Sequence, residues 1–338
     1  MTSSGGVTIY HVAERAGVSI STVSLAINHP NRVSERTRER VVEAAGELGY
    51  RPGSTPSERG KERTGRIAVI APFTSYDSFR LQLVGVLDAL SPHDVDVLVC
   101  DAPSAAEAPS PRLDTLPIRG DVDGAIVMGL PLSAEGADRL TRWGPPVVLV
   151  DAPHPNFSHV GFDDEHAGYL AASHLIDRGH RRIVYLCEPQ RSKAYVSSVM
   201  LRGDGMRRAF NEAGGAANGY QLDEIVLAAN DITLATEATT GLLTGGQRPS
   251  AIVAHHDALA AGVLAGARAM GVVVPEQLAV MGFDDGILAE SLGMTTIRLS
   301  FEEAGRIGAG LLQSLMSNPG QSPTRTVLIP QLVIRSTT

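Results

Sequence analysis

A chain of 338 residues, 43% apolar and 20% charged, exceeds one ordinary core and predicts two or three domains. No run of about eighteen apolar residues occurs, which excludes a membrane-spanning apolar helix. The net charge of −8 argues against phosphate binding over the whole surface.

That charge is unevenly divided. Residues 1–66 hold 10 Lys/Arg against 7 Asp/Glu, whereas the remainder holds 19 against 30. A mildly basic module joined to an acidic body is the expected arrangement. The opening MTSSGGV lacks the basic-then-apolar pattern of a secretory signal, so a cytoplasmic location is expected. Cys100 and Cys187 each end an apolar, strand-like run and read as buried thiols, not as a disulfide.

Residues 8–51 predict three short helices. Thr8 opens the first, with Val12, Ala13 and Ala16 recurring on one face. Gly17 and Val18 make a turn, and Ser19 caps a second helix from Ile20 to about Ile27. Ser34 caps the third, whose Val41, Val42, Ala45 and Leu48 recur at helical spacing up to Gly49. Two helices joined by a short Gly-containing turn form a helix-turn-helix, which sets its second helix in the DNA major groove. Ile20 and Ser21 then face base edges, while Thr22, Ser24 and Asn28 suit phosphate oxygens. A small helical bundle without a DNA role has the same pattern.

The run TIYHVAERAGVSISTVSLAINHPNRVSERTRERVVEAAGELGYRP closely resembles the DNA-binding headpiece of the lactose-repressor family of bacterial regulators. The resemblance extends over nearly the whole chain. It implies a homodimer that binds a pseudo-palindromic operator under control of a small molecule held in a separate domain. The DNA-contact candidates it adds are Thr8, Tyr10, Ser19, Leu25, His29, Arg51 and Arg59. Two departures stand out. His11 replaces the Asp usual in the family, and Leu25 stands where the family commonly has a base-reading Arg. Leu lacks the paired donors that read guanine, so that base step is read apolarly or not at all.

Residues 52–65, PGSTPSERGKERTG, are polar and lack apolar periodicity, the composition of a linker. The resemblance places a hinge helix here, with Arg59 in the position of the family's apolar wedge and Pro56 inside the helix. Proline is tolerated only in a first helical turn, so such a helix must begin late or be absent.

From Arg66 apolar strands alternate with amphipathic helices. Strands are predicted at 67–71, 95–100, 125–128, 147–150, 183–187, 225–227, 251–254 and 278–282. Helices are predicted at 79–90, 134–143, 168–178, 200–213, 234–243 and 258–270. The alternation implies an α/β body of doubly wound parallel sheets covered on both faces. With eight strands, two lobes and a ligand cleft at the strand carboxyl ends are expected. The resemblance implies the same two-lobe, periplasmic-binding-protein-like architecture with three chain crossings, here near 156–163, 289–297 and 317–327. The organisation read is headpiece 1–51, linker 52–65 and body 66–338. Lobe 1 takes about 66–160 and 297–322, and lobe 2 about 161–292 and 326–338, with 328–335 returning as a strand of lobe 2.

Effector-site candidates follow from the same resemblance. Arg202 in LRGDGMRRAF offers a planar fork of donors, and Asp284 in MGFDDGILAE follows a buried strand. Asp163 lies at the first crossing, and Phe73, Ser75, Tyr76 and Phe79 follow the first strand. His256 stands where the family has Asn and is expected to face the ligand, with Asp257 capping the next helix. Leu299 replaces a family Gln, and the family's sugar-stacking aromatic falls near Asn230 and Asp231, so the ligand class is not carried over with the cleft.

His255, His256 and Asp257 together suggest a metal. Adjacent strand residues point to opposite faces, however, and no third ligand is spaced nearby, so no metal and no cofactor is expected. No G-x-S-x-G, P-loop, H-E-x-x-H or post-strand G-x-G-x-x-G is present. The leading reading is a non-enzymatic transcriptional regulator, in the first place a repressor, controlled by a sugar-like metabolite. A solute-binding receptor and an α/β enzyme with an appended domain are the alternatives.

Overall fold

The computed structural model describes residues 7–29, 32–48, 50, 64–104, 122–189 and 196–338. Arg51, Pro56, Arg59 and the rest of the linker read through residue 63 lie outside them, as does Gly49.

Helix α1 (Ile9–Ala16) begins after Thr8, whose backbone N–H donates to His11 Nδ1 at 3.0 Å. His11 thus supplies the acceptor that an acidic residue would otherwise supply at this position. Gly17 ends the helix in the left-handed region (φ 61°), which a side chain would strain. Helix α2 (Ile20–Asn28) is capped by Ser19 Oγ, which accepts from Thr22 N–H at 3.1 Å. In helix α3 (Glu35–Leu48) the Arg40 guanidinium donates to the backbone oxygens of Ala16 and Gly17, closing the end of α1. Val12, Val23 and Val41, one from each helix, are fully buried in a core that these three helices make for themselves.

Twelve strands are described in two sheets, each predominantly parallel by its pairing: β1 (Arg66–Ala71), β2 (Asp96–Asp101), β3 (Gly124–Met128), β4 (Val147–Val150), β5 (Ser158–Phe162) and β11 (Arg325–Leu328) in the first. The second holds β6 (Arg182–Cys187), β7 (Gln221–Val226), β8 (Ala251–Ala254), β9 (Ala279–Asp284), β10 (Thr295–Arg298) and β12 (Gln331–Val333). The spatial order is β11-β5-β4-β3-β1-β2 in one and β12-β10-β9-β8-β6-β7 in the other, with β12 antiparallel to β10. The inner strands β3, β4 and β8 are buried along their whole length, as their unbroken apolar runs require. The outermost β2 and β7 leave Val99 and Val226 about half exposed.

The chain divides into two compact units, 1–160 with 301–326 and 161–300 with 327–338. It passes between them inside β5, after Ser300 and inside β11. The second passage falls later than the expected 289–297, because Thr295–Arg298 pairs in register with Met281–Asp284. The expected return strand 328–335 is present but shorter, as β12 on β10, whereas β11, which ends at Leu328 and lies beside β5, was not expected.

Both units pack two helices unusually closely. In the first, a Cβ on Gly85 would stand 1.8 Å from Glu302 O, and one on Gly305 would stand 1.9 Å from Gln82 O. These glycines join helix Asp77–Leu90 to helix Phe301–Ser317. In the second, Gly168 and Gly205 bring helix Asp164–Asp177 against helix Ser198–Glu212, at 1.9 Å from Arg202 O and 1.8 Å from Glu165 O. Helix Phe301–Ser317 was not foreseen, because between Phe301 and Leu312 its buried face is Ala304, Gly305, Gly308 and Ala309, small residues with little hydrophobic signal.

His159 on β5 is 6% exposed, and neither ring nitrogen has a hydrogen-bond partner among the described residues. Burial, with Arg325 nearby, lowers its pKa from 6.5 to about 4. The unfolded ring therefore takes up its proton first, and stability is lost as pH falls from 6.5 toward 4, by at most about 1.4 kcal/mol per pH unit. Urea unfolding across this window should show a shallower acid slope for His159→Leu than for the natural chain. Equal slopes would mean that His159 is not held neutral.

Candidate regulatory sites

The second helix of the headpiece is the candidate nucleic-acid surface. Ile20 is 40% exposed and Ser21 is exposed, both in its first turn, and Tyr10 on α1 is 67% exposed. An exposed isoleucine beside an exposed serine has no role in the headpiece core, which Val23, Ala26 and Ile27 supply from the other face. Thr8, Ser19 and His29 are also exposed, whereas Thr22, Ser24 and Leu25 are half-buried. The Thr22 hydroxyl lies 2.8 Å from Ser19 Oγ, so it already takes part in the cap. The Asn28 side chain, Arg51 and Arg59 lie outside the described residues.

In the first unit, the strand order reverses between the paired neighbours β1 and β3, with β2 on one side and β4 on the other, and such a switch point is where open α/β sheets bind ligands. Phe73, Ser75 and Tyr76 are half-buried in the turn after β1. Thr74 in that turn is tied to Asp101, its backbone N–H donating at 3.0 Å and its hydroxyl at 2.9 Å. Phe79 departs from the expectation of a ligand-facing ring. It is 8% exposed and packs where a Cβ on Gly129 would stand, 2.2 Å from its Cζ.

The second unit concentrates charge at its own switch point, between β6 and β8. Arg202 is 4% exposed, in the second turn of helix Ser198–Glu212. Its Nε donates to Asp164 Oδ1 at 2.8 Å, its Nη1 donates to His255 O at 2.8 Å, and its guanidinium carbon lies 4.5 Å from the Phe283 ring centre. Burial opposes the charge on Arg202, but Asp164 and Asp284 more than offset it. Burial pushes the Asp164 carboxyl up, and Arg202 pulls against it. Asp164 carried no signal beyond its place in an Asp-Asp pair. Its neighbour Asp163, the expected site residue, instead caps helix Asp164–Asp177 by accepting from His166 N–H at 3.0 Å.

His255 and His256 meet at 4.4 Å between ring centres, since the strand ends at Ala254 and the two rings do not alternate across a sheet. Tyr185 OH lies 2.6 Å from His255 Nδ1. Burial, His256 and Arg202 together hold the His255 ring well below its usual pKa. His256 is placed between two carboxylates, Nδ1 3.5 Å from Asp284 and Nε2 3.8 Å from Glu188. Burial would lower its pKa, but bonding to Asp284 and Glu188 outweighs this and raises it to about 9.

Asp284 (φ 110°) and Asp285 (φ 59°) both occupy backbone conformations that side chains rarely adopt. Asp285 accepts from Arg298 at 2.7 Å and from Arg335 at 2.6 Å, which holds the turn and leaves Asp284 facing His256. Asp257 does not cap its helix as expected. It is the first helical residue after His256, and its carboxylate accepts from Gly286 N–H and Thr296 Oγ1, each at 2.8 Å. Its burial and the nearby Asp284 raise its pKa to about 8. Leu299 is buried, and Asp231 caps helix Ile232–Thr244 by accepting from Leu234 N–H.

Residues 8–53 match the family described as "Bacterial regulatory proteins, lacI family", and residues 172–338 match "Periplasmic binding protein-like domain". The chain is 31% identical to the HTH-type transcriptional regulator CelR of Thermobifida fusca, over 97% of each protein. It belongs to the lacI family of bacterial regulatory proteins. Other relatives agree, among them the HTH-type transcriptional regulator DegA of Bacillus subtilis, 29% identical over 98% of each chain. The solved transcriptional regulator CelR–cellobiose complex is similar over 98% of this chain and all of the other, with TM-score 0.69 and 28% identity. This family member is thus a DNA-binding transcriptional regulator and not an enzyme. No described helix is long and apolar enough to cross a membrane.

Removing one partner of a buried ion pair leaves the other charge unpaired, at a cost of about 3–5 kcal/mol. Arg202→Ala should lower the stability of the second unit by that order in urea unfolding, and Asp164→Asn should also destabilise it. If Arg202→Ala unfolds like the natural chain, the guanidinium does not organise this site.

Proposed function

We propose that the chain is a repressor that binds a pseudo-palindromic operator as a homodimer in the cytoplasm, and that a small hydroxyl-rich effector sets its DNA affinity. The observation that carries the DNA part is the Ser19-capped helix Ile20–Asn28, braced by two helices and presenting Ile20 and Ser21 outward. Ile20 would meet apolar base edges such as the thymine methyl, and Ser21 would exchange a hydrogen bond with a base. Thr8, Tyr10, Ser19 and His29 would contact the backbone, with Arg51 and Arg59 from the adjoining segment.

The effector part rests on the polar cluster of the second unit. Arg202 keeps Nη2 without a hydrogen bond to any described residue, Asp284 is near enough to favour its charge, and His256 pairs with Asp284. Paired hydroxyls suit such a mixture of fixed donors and carboxylate acceptors. Phe73, Ser75 and Tyr76 are the candidates that the first unit offers. The CelR structure holds cellobiose, which supports a sugar-like ligand as the class to screen first.

Gel shifts with DNA selected from a random pool test the reading. Log affinity should fall linearly with log salt, by about 0.9 per phosphate neutralised. Ser21→Ala and Ile20→Ala should each relax preference at one base step, by about 1–3 kcal/mol. A salt slope near zero, or an unchanged base preference in both variants, refutes it. For the effector, a screen of sugars by thermal unfolding should find a ligand that raises the melting temperature, since binding to the native state alone stabilises it. That rise should disappear in Asp284→Asn.

A further inference from the structure

The two adjacent histidines acquire in the fold a partner that is distant in sequence. Glu188 follows β6 directly, and His255 and His256 follow β8, its neighbour in the sheet. One ligand atom from each of the three lies within 4.8 Å of the other two. All three side chains are withdrawn from water, His255 at 2% exposure and the side chains of His256 and Glu188 at 14% and 12%.

The structure assigns Glu188, His255 and His256 as a three-ligand site for a divalent transition metal, Zn²⁺ by the chemistry of the donors, with one coordination position left for water. Two imidazoles and one carboxylate are a recurrent open zinc set. Zinc bonds of about 2.0–2.2 Å in a tetrahedron put ligand atoms roughly 3.3–3.5 Å apart. His256 Nε2 and Glu188 Oε1 are 3.8 Å apart, so closure on an ion asks for shifts of less than about 1 Å in each side chain.

The surroundings match what metal-binding histidines require. The nitrogen that does not bind the ion normally holds an oxygen, which fixes the ring. Here Tyr185 OH lies at 2.6 Å from His255 Nδ1, and Asp284 Oδ2 at 3.5 Å from His256 Nδ1. Each ring therefore has an oxygen at Nδ1, that of His255 shared with the Arg202 guanidinium at 3.5 Å, and would bind the ion through Nε2. The local charge also balances once the ion takes the place of the proton that His256 shares with Glu188 and Asp284. Asp164, Glu188 and Asp284 are three carboxylates and Arg202 is one fixed cation, so a dication with neutral imidazoles brings the group to zero. Asp257, buried nearby, is bonded to Gly286 and Thr296 and is not needed as a ligand.

The test uses the full chain, stripped with a chelator and titrated calorimetrically with Zn²⁺. One ion per chain should bind, and Glu188→Gln and His256→Gln should each weaken binding at least tenfold. His166→Gln, outside the cluster, should bind as the natural chain does. Circular dichroism reports whether each variant is folded. Cobalt(II) added to the natural chain gives a readout that needs no variant, the intense visible band of a four-coordinate ion. No zinc binding at micromolar concentration overturns the assignment. So does zinc binding that persists unchanged in both folded variants, or a cobalt spectrum of the solvated ion.

Discussion

A guanidinium held almost out of water has to be paired and bonded, and Arg202 meets that requirement by tying together parts of the chain far apart in sequence. It joins helix Ser198–Glu212 to Asp164 at the start of another helix, to the carbonyl of His255 beyond β8, and to the Phe283 ring on β9. The rest of the charged cluster is arranged around it. The approach is possible only because Gly168 has no Cβ where the Arg202 carbonyl passes. A methyl group there would push the helices apart and stretch the ion pair. The polar site thus depends on a steric condition one layer below it.

The headpiece solves a different problem, that of making a stable surface from few residues. Its core is small, and Arg40 adds to it by closing the end of the first helix with two backbone oxygens. Ser19 satisfies the first turn of the second helix, so the backbone behind Ile20 and Ser21 is fixed before any DNA is met. The excess positive charge of residues 1–66 and the excess negative charge of the rest separate phosphate attraction from ligand recognition. Any influence of one on the other is bound by linkage. Whatever the effector does to DNA affinity, DNA does equally to effector affinity.

Much of this was legible in the chain itself. The three headpiece helices were readable because caps and apolar spacing are local signals, and the inner strands 124–128, 147–150 and 251–254 because burial on both faces demands continuous apolar runs. Helix Phe301–Ser317 was not, since close packing selected glycine and alanine over the middle of its buried face and left only Phe301 and Leu312 as large apolar residues there. Strand β5, SHVGF, was also missed as a strand, because its polar residues break the pattern although all but the last are buried. At the site, Arg202, His256 and Asp284 could be named in advance, but their neighbours could not. Asp164 lies 38 residues from Arg202, and Glu188 is separated from His255 and His256 by two α-helices and the strands β7 and β8. Local periodicity decides which residues become strand and helix. Which strand ends lie side by side is decided by the order of strands in the sheet, and that order is set by tertiary packing, where residues distant in sequence become neighbours.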